Sequence, residues 1–349
     1  MRAPEWSLRA ELSEIAASPG SVGQRAQDSL EALGGVVPYA AAWIGVRDPE
    51  TRQHRPVATQ GHTEPLARYF ALPEADDDLE QLGLNRLRPP MCARDLPAPL
   101  ADIRAWGEYL LPAGFQDGFA MGLFSADGRH LGFISLLTDD PAERTTAYRG
   151  IVEALRPLLA QAVDRLPSLA SVARLAPDAV GGVALTRAGR TLPLPGLPEH
   201  PLLASGSTVT AVARELLTAP GTHASFLCPF PEAPGALVRI TVLDCGDQPP
   251  DHLTALLLVR RVAVPQGLRP TDLQMFGALL QGWHVEKITA RLPGPHPAVR
   301  LPRLAAELQL RSHRHLLLHV AREGYYVPPS LWDTSLAWGH AGVLSDRGT

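Results

Sequence analysis

Between Leu268 and Gly324 the apolar residues recur at helical spacing in four short blocks, and this pattern limits the possible folds more than any other feature. Leu273, Phe276 and Leu280 share one helix face. So do Val285, Ile288 and Leu292, then Leu301, Leu304 and Leu308, and last Leu316, Leu317 and Val320. Helices this short are not stable singly in water, so the four must close a shared core. Thr271 and Ser312 stand at expected helix starts, where a side-chain oxygen can satisfy orphan N–H groups. Gly282 is expected to end the first helix.

Charge is distributed unevenly. The 268–324 stretch carries Lys287, Arg269, Arg291, Arg300, Arg303, Arg311, Arg314 and Arg322 against Asp272, Glu286, Glu307 and Glu323. Its net charge is about +4, while the whole chain is −4, which leaves about −8 for the rest. A basic end on an acidic body suits phosphate contact, and arginines on small helices equally suit a solvated face.

The same residues resemble the four-helix LuxR-type helix-turn-helix of bacterial transcription regulators. Leu268, Pro270, Thr271, Asp272 and Leu273 stand where that family carries L-T-x-R-E-x-E-V. Leu279, Leu280, Gln281 and Gly282 match its L-A-x-G. Glu286, Lys287, Ile288, Ala290, Arg291 and Leu292 track its N-x-E-I-A-x-x-L helix. Leu308, Leu310, Arg311 and Ser312 follow its K-L-x-V-x-S/N-R segment, and Val320 to Gly324 match its close. The resemblance implies that the third helix enters the major groove. It implies DNA contacts from Lys287, Arg291, Arg300, Arg303 and Arg311. The chain departs from the family at Pro293-Gly294-Pro295-His296-Pro297 through Leu304, where the Thr-Val-Lys group is missing and Pro302 falls in the recognition helix. The expectation is a shortened helix starting at Leu301, with Pro302 in its first turn, where proline is tolerated.

The N-terminal part, 20–165, reads as an α+β domain, after an extension over 1–19. A helix is expected over 22–33, a buried strand over 40–46 and a returning strand over 54–59. Helical segments are expected at 64–70, 79–84 and 101–111, with a loop at 89–95. Strands 118–124 and 130–137 flank a tight turn with Asp127-Gly128 at its centre. A long amphipathic helix fills 146–163 and is a candidate dimer interface, with packing inside the domain as the alternative. Val37 to Trp43 with Asp48-Pro49, Asp117 to Ala120, and Ala126 to Phe133 resemble a GAF-type sensory domain of the kind that precedes LuxR-type helices in actinobacterial regulators. That resemblance implies a small-molecule pocket between sheet and helices, or a dimer scaffold. Trp43, Phe70, Trp106, Tyr109, Phe115, Met121 and Phe133 are the aromatic and soft residues available to line it, with ordinary core packing as the alternative. Asp76-Asp77-Asp78 reads as a solvated helix start.

After a link at 167–172, residues 175–265 read as five short strands, 181–186, 190–194, 224–228, 235–243 and 254–261, with a helix at 208–217. Val183 to Arg190 resemble the opening strand and turn of a PAS-like domain. The tail, 325–349, carries Trp332 and Trp338, which are expected to pack back onto the helices or a partner subunit. The cysteines Cys92, Cys228 and Cys245 have neither metal nor redox spacing. His315 and His319 share a helix face without a further ligand at motif spacing, so no metal is expected. No run is long and apolar enough for a membrane span and no signal peptide is visible, so cytoplasmic residence is expected.

The overall expectation is an α+β multidomain chain with a GAF-like domain, a PAS-like sheet domain and a C-terminal LuxR-type bundle. Three functions stay open. The first is a DNA-binding transcription regulator, a homodimer with a small-molecule effector and neither cofactor nor membrane partner. The second is a regulator-derived ligand-binding or protein-binding module that no longer reads DNA. The third is an enzyme using the GAF-like pocket, for which the sequence offers neither a nucleophile–base set nor paired acids.

Overall fold

The computed structural model describes residues 3–140, 145–217, 223–230, 233, 236–246 and 248–332. Two compact units divide the chain. The first runs to Ser168, and the second from Leu169 onward, apart from a short segment ending at His252 that groups with the first. Each unit is a mixed α+β body built on one antiparallel five-stranded sheet.

In the first unit the order is α1 (Ala3–Ala17), α2 (Val22–Gly34), β1 (Ala41–Arg47), β2 (His54–Gly61), α3 (Glu64–Phe70), α4 (Ala75–Gln81), β3 (Met91–Cys92), a π-helical turn (Ala105–Leu110), β4 (Asp117–Phe124), β5 (His130–Thr138) and α5 (Thr145–Val163). The strands lie side by side as β2-β1-β5-β4-β3. Alternation along each strand divides its side chains between two faces. Ala42, Ile44 and Val46 of β1, Phe119, Met121 and Leu123 of β4, and Ile134 and Leu136 of β5 join Leu12, Leu30 and Leu159 from the helices in one core. Trp43, Phe133 and Leu137 face the opposite way, into a second core with Leu66, Phe70 and Trp106. Ser21 caps α2 by accepting from the Gln24 N–H at 3.1 Å. Arg25, 2 % exposed, donates from Nε to the Ala162 carbonyl at 2.9 Å and so ties α2 to the end of α5.

The second unit receives the chain within α6 (Leu166–Ala173), where a link was expected. It continues through β6 (Ala179–Thr186), β7 (Thr191–Pro193), α7 (Thr208–Leu216), β8 (His223–Pro229), β9 (Leu237–Asp244) and β10 (Leu253–Arg261). Its sheet runs β7-β6-β10-β9-β8, so both sheets share the order second, first, fifth, fourth, third. Then come four helices, α8 (Pro270–Leu280), α9 (Val285–Arg291), α10 (Pro297–Glu307) and α11 (His313–Glu323). One core holds Ile240 and Leu257 of the sheet together with Phe276, Ile288, Leu304 and Val320 of these helices.

The short segment after α11 joins helices to sheet. Gly324 closes α11 in the left-handed region (φ 69°), where glycine carries no steric penalty. The Leu227 N–H donates to the Tyr326 carbonyl at 2.8 Å, and the Val327 N–H donates to the Leu273 carbonyl at 3.0 Å. Gly277 admits this segment: a Cβ there would lie 1.9 Å from the Val327 oxygen. Trp332 packs back as expected, its ring 5.3 Å from Trp283 and its Nε1 donating to the Val327 carbonyl. Trp338 and the rest of 333–349 lie outside the described residues.

Several local expectations are corrected. Asp76 to Asp78 do stand in the first turn of a helix, but that helix, α4, runs over Ala75–Gln81 and not over 79–84. A two-residue strand, β3, occupies the expected loop at 89–95, and the 101–111 segment forms a π-helical turn. Thr271 does not cap α8. Arg269 is the cap residue, Pro270 takes the first helical position, and Asp272 reaches back to the Arg269 N–H at 2.9 Å. Leu280, placed on the buried face by spacing, is 38 % exposed. Ser312 does cap α11, accepting from the His315 N–H.

Candidate functional site

On the inner aromatic face of the first sheet the floor is made of small residues. β4 reads Asp-Gly-Phe-Ala-Met-Gly-Leu-Phe, so its alternation sends Phe119, Met121 and Leu123 to the other core and leaves Gly118, Ala120 and Gly122 on this face. Ser135 of the neighbouring β5 pairs with Ala120 on one side and Trp43 on the other. Small side chains opposite the helices leave a chamber of about 70 Å³. Its walls include Leu66, Phe70, Trp106, Phe133, Leu137 and the buried thiol of Cys92. Burial pushes the Cys92 thiol up, which makes it a poor nucleophile.

Of the residues expected to line a pocket, Phe70, Trp106 and Phe133 line this chamber. Trp43 and Phe115 are buried in the same core, with Tyr109 packed against it from its edge. Trp43 stacks on Phe70 with ring centroids 5.5 Å apart, and Tyr109 lies 5.7 Å from Tyr69. Met121 is in the opposite core, because it is odd in register with Ala120 on one strand.

Phe70 also borders a wider outer groove of about 500 Å³, lined by Trp43, Arg52, His54 and Asp76. Here the structure corrects the solvated reading for Asp76, while Asp77 is exposed as expected. Asp76 is 6 % exposed and accepts four hydrogen bonds. Arg47 donates from Nε at 2.7 Å and Nη2 at 2.8 Å, Arg52 from Nε at 2.6 Å, and His54 from Nε2 at 2.7 Å. Burial alone would raise the Asp76 carboxyl, but these donors outweigh it and hold the group well below the usual carboxylate range. Arg52 has φ 61°, a conformation costly for a non-glycine residue, and its bonds to Asp76, Asp77 and Glu80 fix it there. His130, 6.4 Å from His54 ring to ring, is pushed down to about 4 by burial first and by His54 and Arg47 next. Its Nε2 is buried without a partner. The pairing of Arg47, Arg52 and His54 with Asp76 was missed from sequence; the only local signal was two arginines flanking the Asp48-Pro49 turn.

In the second unit the residues expected to touch DNA separate into two groups. Arg300 is only 12 % exposed in its side chain and is committed to Asp272, with Nε–Oδ1 and Nη2–Oδ2 both at 2.8 Å and Nη1–Glu307 at 3.2 Å. Asp272 is 2 % exposed. Burial would raise its carboxyl, but Arg300 and Arg269 hold it below its ordinary value. Arg300 therefore pins α10 to the start of α8. Lys287, Arg291, Arg303 and Arg311 are exposed, and the Lys287 ammonium sits 3.7 Å over the Trp283 ring. The shortened-helix expectation is overturned: α10 starts at Pro297, capped by His296, and Pro302 lies in its interior.

Fold and site together define a two-unit α+β protein with an apolar chamber in the first unit and four helices ending the second. No family model matches the chain, and no curated protein matches it. Solved structures do. The bacteriophytochrome RpBphP3 from the photosynthetic bacterium R. palustris is 13 % identical, with a TM-score of 0.34 over 73 % of this chain and 63 % of its own. The phytochrome photosensory core module of Stigmatella aurantiaca is 17 % identical, with a TM-score of 0.34 over 78 % and 65 %. The nlh2 GAF domain of A. aeolicus is 14 % identical, with a TM-score of 0.32 over 46 % of this chain and 94 % of its own. This chain spans less than two thirds of either phytochrome chain. No described helix is long and apolar enough to cross a membrane.

Proposed function

We propose that the chain is a ligand-responsive transcription regulator that works as a homodimer. In this reading the first unit is a GAF-like sensor, the second sheet is PAS-like, and α8 to α11 are a LuxR-type DNA-binding bundle. The observation that carries it is the run of four short helices, packed through one apolar face, with Lys287, Arg291, Arg303 and Arg311 left on the outside. Cations held away from the core can meet phosphates or guanine edges. Since each small bundle covers little DNA, two copies are needed for tight specific binding.

A second reading, a regulator-derived protein that no longer reads DNA, is favoured by one observation. Arg300, on the helix that would enter the groove, is spent on Asp272 and Glu307. Gel shifts on genomic fragments around the gene separate the two. A specific shift lost in a Lys287→Ala, Arg303→Ala, Arg311→Ala triple variant supports the regulator. Absence of any shift from folded protein supports the second reading. Arg300 is left intact because its removal would disturb the fold itself.

A further inference from the structure

The inner chamber of the first unit carries information about the size and chemistry of what it holds. Its volume is about 70 Å³. An apolar cavity of about 150 Å³ holds benzene, so this one holds a molecule of roughly half that size, about three or four heavy atoms. Its walls carry no lysine, arginine, histidine or carboxylate. A charged ligand would be desolvated there without a counter-ion, which is prohibitive. Ser135 brings a hydroxyl to these walls, beside the Trp106 indole, the Cys92 thiol and the Tyr69 phenol. It is 6 % exposed, it sits mid-strand on the small-residue floor, and its hydroxyl has no hydrogen-bond partner among the described residues. A hydroxyl on the wall of an apolar chamber can be satisfied by a ligand atom that replaces water there.

We propose that the chamber binds a small uncharged molecule, apolar over most of its surface and bearing one hydrogen-bonding group that meets the Ser135 hydroxyl: a short-chain alcohol or ketone. This rests on the sensory reading of the first unit and gives its effector a chemical class. Phe70 borders both the chamber and the outer groove.

The test is a titration of the full chain followed by methyl NMR on Leu66, Leu110 and Leu137, using xenon, 2-propanol and acetate as probes. Xenon reports an apolar void, 2-propanol adds the hydroxyl, and acetate is a charged molecule of similar size. The expected result is saturable shifts from xenon and 2-propanol and none from acetate. In Ser135→Ala the xenon response should persist while 2-propanol binding weakens about fivefold, as for one lost hydrogen bond. Ala120→Val, which raises the floor by two methyls, should reduce both. The proposal is overturned when neither probe moves these methyls, when acetate binds as well as 2-propanol, or when Ser135→Ala binds 2-propanol like the wild type. DNA plays no part in this titration. A chain that binds DNA specifically yet leaves the methyls unmoved keeps the regulator reading and loses this one.

Discussion

His130 and Asp76 sit in one buried neighbourhood and respond to acid in successive pH windows. His130 is held at about 4 when folded, against about 6.5 for a free imidazole, so it stays neutral in the fold. The unfolded chain then binds more protons between those values, and stability is lost as pH falls from about 6.5 to about 4. His130→Phe should flatten that limb of a urea-denaturation series against pH; an unchanged slope would mean that His130 does not set it. Asp76 is depressed in the folded state, so its contribution is complete above the ordinary carboxylate range and is lost as pH falls below about 4. Asp76→Asn leaves Arg47 and His54 facing a neutral amide. It should cost about 3 kcal/mol at neutral pH, as for other broken buried pairs, measured by the same denaturation. None of this was legible in the sequence. Asp76 and its partners lie on separate elements, and a run of three aspartates reads as solvent-facing because nothing local shows which of them turns inward.

At the scale of elements, periodicity served well where one face is buried and poorly where packing overrides propensity. The strands at 118–124 and 130–137 and the helix at 64–70 were legible to within a residue, because alternation and 3.6-residue spacing are enforced by a core on one side. The small-residue face of β4 was equally legible in hindsight, since every second position is Gly or Ala. Helix α10 was misread because proline is read locally as a stop. Tertiary contacts, Arg300 to Asp272 and Leu304 into the core, carry the helix through Pro302. Pro302 is exposed, so Pro302→Ala restores a backbone bond without disturbing packing. It should raise stability by about 1–3 kcal/mol, read from the denaturation midpoint; a loss would mean that the proline ring supports a contact. Gly277→Ala places a methyl against the Val327 carbonyl and should destabilise by at least about 2 kcal/mol. An unaltered midpoint would show that residues 324–332 are not held as described.

For the whole molecule, the two sheets repeat one strand order although their sequences gave different resemblances. The second sheet and the four helices share a single core, joined through Tyr326 and Val327. Composition and spacing could place the elements but not that joint, which depends on backbone groups of Leu227 and Leu273 meeting a tail with no repeating pattern. A chain ending at Glu323 should therefore lose protection from hydrogen exchange in β8 as well as in α8, and loss confined to α8 would argue against the shared core. The regulator reading is tested most directly by the salt dependence of DNA affinity. For wild type, log K against log salt concentration should fall linearly, with a slope of about −0.9 for each phosphate neutralised. Removing Lys287, Arg303 and Arg311 together should make that slope shallower by between two and three, on the basis of about −0.9 per contact. A slope unchanged by the three substitutions, or no measurable affinity even at low salt from the folded protein, would contradict the account.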